Sequence, residues 1–274
     1  MRSRILIVLA TALATALTTA LTAGGPVLPA SAAPAVVESS PSGSPRAAVF
    51  DGTIYIDPDI IPASSPSVFK DATYQGRDRR QVFDRRKNKF ITIRAFVVRV
   101  RFKDGTRLDA VVNPEFRRKR AAVGLAHAYG RVTGQLPASL RRDVKELWIH
   151  KGTELFGGGN HSLLIHTGQA KVYKKAGILE EALAHEATHT SLDARFASSP
   201  GWQAAQAADG ASISTYGQAN LQREDLAESV VPWLAVRFAR DRVDPNVLVA
   251  IEQAIPNRLA FLDQQGLDLR PFVK

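Results

Sequence analysis

The segment His185-Glu186-Ala187-Thr188-His189 sets two imidazoles and one carboxylate within a single stretch of chain. Four residues apart on a helix, two side chains are offset by about 40° and about 6 Å, so both rings lie on one face. One metal ion can take both nitrogens. Glu186 then stands at the edge of that face, able to reach a water on the metal without being a ligand. With six His in 274 residues, composition alone yields about 0.005 such patterns. Helix-forming flanks supply the context in which the pattern has meaning. The competing reading is two surface histidines on an ordinary amphipathic helix.

A hydrolytic zinc site needs a third protein ligand and an open fourth position. The chain has no cysteine, which removes disulfide scaffolds, thiol nucleophiles and thiolate ligands, so a metal must be held by His and carboxylates. A third His six residues beyond His189 is excluded, because that position is Arg195 and position 192 is Leu. Further on, Glu224 and Glu228 stand four apart in Arg223-Glu224-Asp225-Leu226-Ala227-Glu228-Ser229. Glu224 could ligate from a second helix, while Glu228 could accept the ring N–H of a ligating His and fix its tautomer. An acidic first turn would also be favoured by the helix dipole alone.

His185-Glu186-x-x-His189 followed by a Glu-x-x-x-Glu helix resembles the gluzincin zinc metallopeptidases. Ser214-Thr215-Tyr216, Asn220 and Glu224-Asp225-Leu226-Ala227-Glu228 are similar to the catalytic domain of anthrax lethal factor and its bacterial relatives. The resemblance covers roughly residues 136–240. It implies a single zinc per chain held by His185, His189 and Glu224, with Glu186 as general base and Tyr216 assisting the oxyanion. Tyr216 stands eight residues before Glu224, one more than the family pattern. Asp193 matches a position often acidic in gluzincins, and the resemblance gives it an orienting or packing role. Zinc would lower the pKa of its water from about 15.7 toward 7 for Glu186 to deprotonate. The strand at Leu163-Leu164-Ile165 is where such folds offer an edge to an extended peptide.

Other residues are set aside. His150 and His166 follow short apolar strands and His161 lies in a glycine loop, where a lone His is more often structural. Gly157-Gly158-Gly159 lacks the Lys-Ser/Thr of a phosphate loop, which excludes a nucleotide site and leaves a flexible rim of the cleft. Trp148, Trp202 and Trp233 read as core. Pro232 should kink its helix after Glu228.

The elements that must position these groups follow from periodicity. Phe96, Val98, Val100 and Phe102 alternate with Val97, Arg99, Arg101 and Lys103, a two-residue period that predicts a strand, with Asp104-Gly105 as a hairpin turn before Arg107–Val112. Asn113-Pro114 predicts the start of a helix to about Tyr129, ended by Gly130, Gly134 and Pro137. Short buried strands are expected at 147–149 and 163–165. Helices are expected at 177–194, 223–240 and 245–265, with a glycine-containing loop between the first two. No internal repeat or heptad is present, and a monomer is expected.

The N-terminus reads separately. Arg2 and Arg4, an apolar run over 5–23 and Ala30-Ser31-Ala32 describe a cleaved secretory signal over 1–32, against the alternative of a retained anchor. Residues 33–48 are an Ala/Pro/Ser linker. The formal charge is +10, concentrated at Arg77, Arg79, Arg80, Arg85, Arg86, Lys87, Lys89 and Arg117–Arg120. No interleaved aromatics mark a base-stacking platform, which argues against nucleic acid. A solvated face is the plain reading, and an anionic cell-envelope polymer is the partner such a face would suit.

The expected architecture is α+β, a β-rich region over 49–112 followed by a zincin-like catalytic domain over 113–274. The expected function is a secreted zinc metalloendopeptidase. Two alternatives are a cell-surface binding module on a zincin scaffold and a zinc hydrolase of non-peptide amides or esters.

Overall fold

The computed structural model describes residues 48–52 and 59–273. The expected signal segment over 1–32 and all but the last residue of the expected linker over 33–48 lie outside the described residues. No helix among the described residues is long and apolar enough to cross a membrane.

The chain is α+β. Its first strands are β1 (Phe69–Asp84), β2 (Lys89–Phe102) and β3 (Arg107–Val112). The alternation that predicts β2 sets Phe96, Val98, Val100 and Phe102 into the main core. Gly105 takes φ 85° in the turn between β2 and β3, the left-handed conformation a tight hairpin demands. Asn113 does cap, accepting from the Glu115 N–H at 3.0 Å. What it caps is one 3-10 turn, Pro114–Phe116, closed by Arg117 at φ 64°. The helix proper, α1 (Lys119–Thr133), starts later and runs through Gly130. Gly130 is a contact point rather than a stop: a Cβ there would lie 2.8 Å from Val100 Cγ1. The missing side chain lets α1 settle onto the sheet.

Next come α2 (Ala138–Arg141), β4 (Glu146–His150), β5 (Gly157–Gly159), β6 (Ser162–His166), α3 (Thr167–Ala176) and α4 (Leu179–Ser191). The helix α3 is not legible in its polar sequence, and Gly177 at φ 73° ends it. The left-handed residue separates α3 from the motif helix, which is therefore shorter than the 177–194 expected. Then follow α5 (Asp193–Phe196), α6 (Pro200–Asp209), α7 (Thr215–Ala219), α8 (Asp225–Phe238), α9 (Pro245–Ala254) and α10 (Pro256–Asp263). Part of the expected loop is thus helical, as α6 and α7. The expected final helix is two, because Pro256 forces Ile255 out of the helical region, to ψ 42°. α8 continues through Pro232.

The six strands form one mixed sheet in the order β1-β2-β3-β4-β6-β5. β3, β4 and β6 are parallel neighbours, and the remaining pairs are antiparallel. The sheet therefore runs without a break across residue 113, the expected boundary between the two regions. Leu163–Ile165 belong to β6 and lie inside the sheet, between β4 and β5. The edge next to the motif helix is β5, so the expectation that 163–165 form the edge is corrected.

Helices α1, α3 and α4 pack on the face carrying Leu147, Ile149, Leu163 and Ile165. The opposite face buries a smaller cluster of Val82, Ala95, Val111, Trp148 and Leu164. Phe90 meets Trp148 edge-on at 6.1 Å. All three tryptophans are buried.

Candidate metal centre

Helix α4 is buried on nearly every side, against β5, β6, α2 and α8. His185 is buried and His189 nearly so, and Glu224 enters from the residue that begins α8. Nε2 of His189 lies 3.2 Å from Nε2 of His185 and 3.1 Å from Oε2 of Glu224. The remaining side of the triangle, His185 Nε2 to Glu224 Oε2, is 3.7 Å. These three ligand atoms converge on one point and could hold one metal ion.

The field at that point favours positive charge. Burial opposes a charge on His189, but hydrogen bonds to Asp193 and Glu224, with the nearby Glu186, outweigh it and raise its pKa to about 10. Burial likewise opposes ionisation of Glu224, and the two histidines override it, holding the carboxyl far below the usual carboxylate range.

Outer contacts orient the rings unequally. Asp193 Oδ2 lies 2.7 Å from His189 Nδ1, which turns Nε2 toward the centre as the resemblance implies. Glu228 is fully buried, but its Oε1 is 3.9 Å from His185 Nδ1, longer than a hydrogen bond. Its Oε2 instead accepts from Ser214 Oγ at 2.5 Å. Ser214 also caps α7 by accepting from the Gly217 N–H. Tyr216, the second residue of α7, brings its hydroxyl beside Glu224 and Arg223; burial and the Glu224 charge raise its pKa. Residues 50–52 run beside the same segment, with the Thr215 N–H donating to Phe50 O and the Tyr216 N–H to Gly52 O, both at 2.9 Å.

Glu186 is half-buried on α4, and its carboxylate has no hydrogen bond or ion pair among the described residues. Its backbone carbonyl is tightly placed. A Cβ on Gly158 would lie 2.0 Å from that oxygen; Thr190 Oγ1 lies within donating distance of it at 3.1 Å and of the Ser162 carbonyl at 3.0 Å, and accepts from the Gly159 N–H at 2.8 Å. The glycine run is thus a strand clamped to the motif helix, which corrects the expectation of a flexible rim. Gly158→Ala should push β5 off α4, costing about 1–3 kcal/mol by overpacking. Urea unfolding of the two proteins measures it, and an unchanged midpoint would contradict the close contact.

Several supporting residues had no sequence signature. Arg258 is buried on α10 and pairs with Asp225 through Nε at 2.8 Å and Nη2 at 3.0 Å. It also reaches Asp209 at 3.0 Å and the Ala211 carbonyl at 2.8 Å. The network anchors the start of α8 and hence Glu224. Arg258→Ala would strand two buried carboxylates, for an expected loss of about 3–5 kcal/mol, measurable by denaturant unfolding. Tyr173 on α3 is a second such group, buried and within the field of Glu186.

Of the histidines set aside, His150 and His166 end adjacent strands and are buried. Burial lowers the pKa of His150 to about 4. His161 Nδ1 lies 3.2 Å from the Asp143 carbonyl. None of the three is among the converging ligands.

Neither protein-family models, curated proteins nor solved structures gave a match to this chain.

Proposed function

We propose that this chain is a secreted zinc-dependent peptidase of gluzincin type, with a zincin-like arrangement of motif helix, edge strand and ligand-bearing second helix. The observation that carries the reading is the size of the ligand triangle. Zinc bonds of about 2.0–2.1 Å at the tetrahedral angle place ligand atoms about 3.3–3.4 Å apart. The three sides here, 3.1, 3.2 and 3.7 Å, bracket that spacing. Two neutral nitrogens and one carboxylate oxygen are also a donor set that suits zinc.

Zinc at this position would supply Lewis-acid chemistry, polarising a carbonyl and acidifying water. The chain's own residues supply the rest. Glu186, whose carboxylate has no hydrogen bond or ion pair among the described residues and which shares a helix with both histidines, would take a proton from water and return it to the leaving nitrogen. The Tyr216 hydroxyl, beside Glu224, is placed to donate to the developing oxyanion. Asp193 keeps the His189 ring oriented. β5, the outermost strand beside α4, offers an extended peptide a backbone to pair with.

Zinc-loaded protein incubated with a diverse peptide library, read by mass spectrometry of the products, tests this reading. Cleavage at internal bonds that ceases on chelation is the expected result. Bound metal with no peptide cleaved would favour a hydrolase of non-peptide amides or esters, or a binding module whose basic face takes an anionic envelope polymer. Protein purified without chelators and free of metal would overturn the metal centre.

A further inference from the structure

The β1–β2 hairpin uses its arginines unequally. Arg86 at the tip is saturated, pairing with Asp84 at 2.9 Å and Glu115 at 2.8 Å. Arg80 pairs with Asp78 and lies 3.4 Å from Glu146; Arg99 pairs with Asp109 and Arg101 with Asp71. Arg85 has no carboxylate partner among the described residues. Among the described residues its side chain makes one hydrogen bond, from Nη2 to the Phe156 carbonyl at 2.8 Å. The same Nη2 lies 3.1 Å from where a Cβ on Gly157 would stand. The guanidinium is therefore laid against the first residue of β5, held there by a neutral carbonyl.

That strand links the cation to the chemistry. Gly158, the next residue, abuts the Glu186 carbonyl. Phe156 packs edge-on against Tyr173 at 5.0 Å, and Tyr173 feels both Glu186 and Arg85. A chain laid along β5 would thus pass an uncompensated cation beside Gly157 and, beside Gly158, the helix that carries Glu186. A guanidinium has five N–H donors, of which one is engaged here, so a fork remains that matches a carboxylate. Glu154, on the segment leading into β5, forms no ion pair with it. Exposed Lys87 and Lys89, also without ion pairs among the described residues, add positive charge at the same hairpin tip.

We infer that Arg85 is a specificity-determining residue, which selects peptides carrying an acidic side chain where they dock along Gly157–Gly159. The inference rests on the peptidase reading and adds a substrate class to it. A charge-assisted, bidentate contact made by a guanidinium is commonly worth tenfold or more in selection.

The test uses the zinc-loaded protein with three matched peptide libraries, enriched in Asp/Glu, in Lys/Arg or in neutral residues. The wild type should cleave the acidic library at least about tenfold faster in kcat/KM than the neutral one. Arg85→Gln should bring that ratio near unity, and Arg85→Glu should favour the basic library. Arg85→Lys keeps the charge without the fork and should fall between, even should the uncharged variant fold poorly. The wild-type preference should shrink as salt rises. A wild type with no acidic preference, or the same preference in all the variants, would overturn the inference and leave the peptidase reading standing. No cleavage of any library by wild type would overturn both.

Discussion

Glu186→Gln is expected to keep its metal and its fold while kcat falls by about 10²- to 10⁴-fold. Three observations set this expectation. The Glu186 carboxylate makes no hydrogen bond or ion pair among the described residues, so an amide of the same shape disturbs no pairing. The contacts this position does make belong to its backbone carbonyl, against Gly158 and Thr190, and these survive the change. The side chain is also outside the ligand triangle of His185, His189 and Glu224. What the amide cannot do is accept a proton and return it. Metal content, circular dichroism and peptide hydrolysis measured together separate these effects. Equal hydrolysis by both proteins would eliminate Glu186 as the base. Loss of metal in the variant would mean that Glu186 ligates, against the geometry.

The parts of this arrangement visible in the sequence were those with fixed spacing. His185 and His189 stand four apart on a helix, as their period requires. Glu224 meets them because the sequence marks both ends of the interaction, even though nothing local states that the helices touch. The alternation in β2 and the Asp104-Gly105 turn were legible for the same reason, since each is written in consecutive residues. The misread elements depend on partners distant in sequence. Gly130 looks like a helix stop until Val100 is seen beneath it, and Gly157–Gly159 looks like a loop until α4 is seen against it. In both, glycine marks close approach rather than freedom. Helix α3, polar and with Val172 exposed, carries too weak a stripe to announce itself. The Arg258–Asp209–Asp225 network joins α10, α6 and α8, and no single segment hints at it.

Removing any one of the three ligands should have the largest effect of all. His185→Ala, His189→Ala and Glu224→Ala are each expected to abolish stoichiometric zinc and, with it, peptide cleavage, where wild type retains about one ion per chain. Two remaining ligands cannot fix the geometry of a hydrolytic site, and the centre lies where burial penalises any unpaired charge. The outer contacts predict a gradation below this. Asp193 holds His189 at 2.7 Å, and its loss should weaken zinc affinity by about 10- to 100-fold while leaving a loadable site. Glu228, at 3.9 Å from His185 Nδ1 and engaged with Ser214, should matter less to affinity than Asp193. Competition against a zinc-binding dye measures all five variants on one scale. The order ligands, then Asp193, then Glu228 follows from the distances alone. If Asp193→Ala loses zinc as completely as His189→Ala, the carboxylate is a ligand and the triangle has been drawn with the wrong third member. If Glu224→Ala keeps zinc, the second helix supports the centre by packing rather than by coordination.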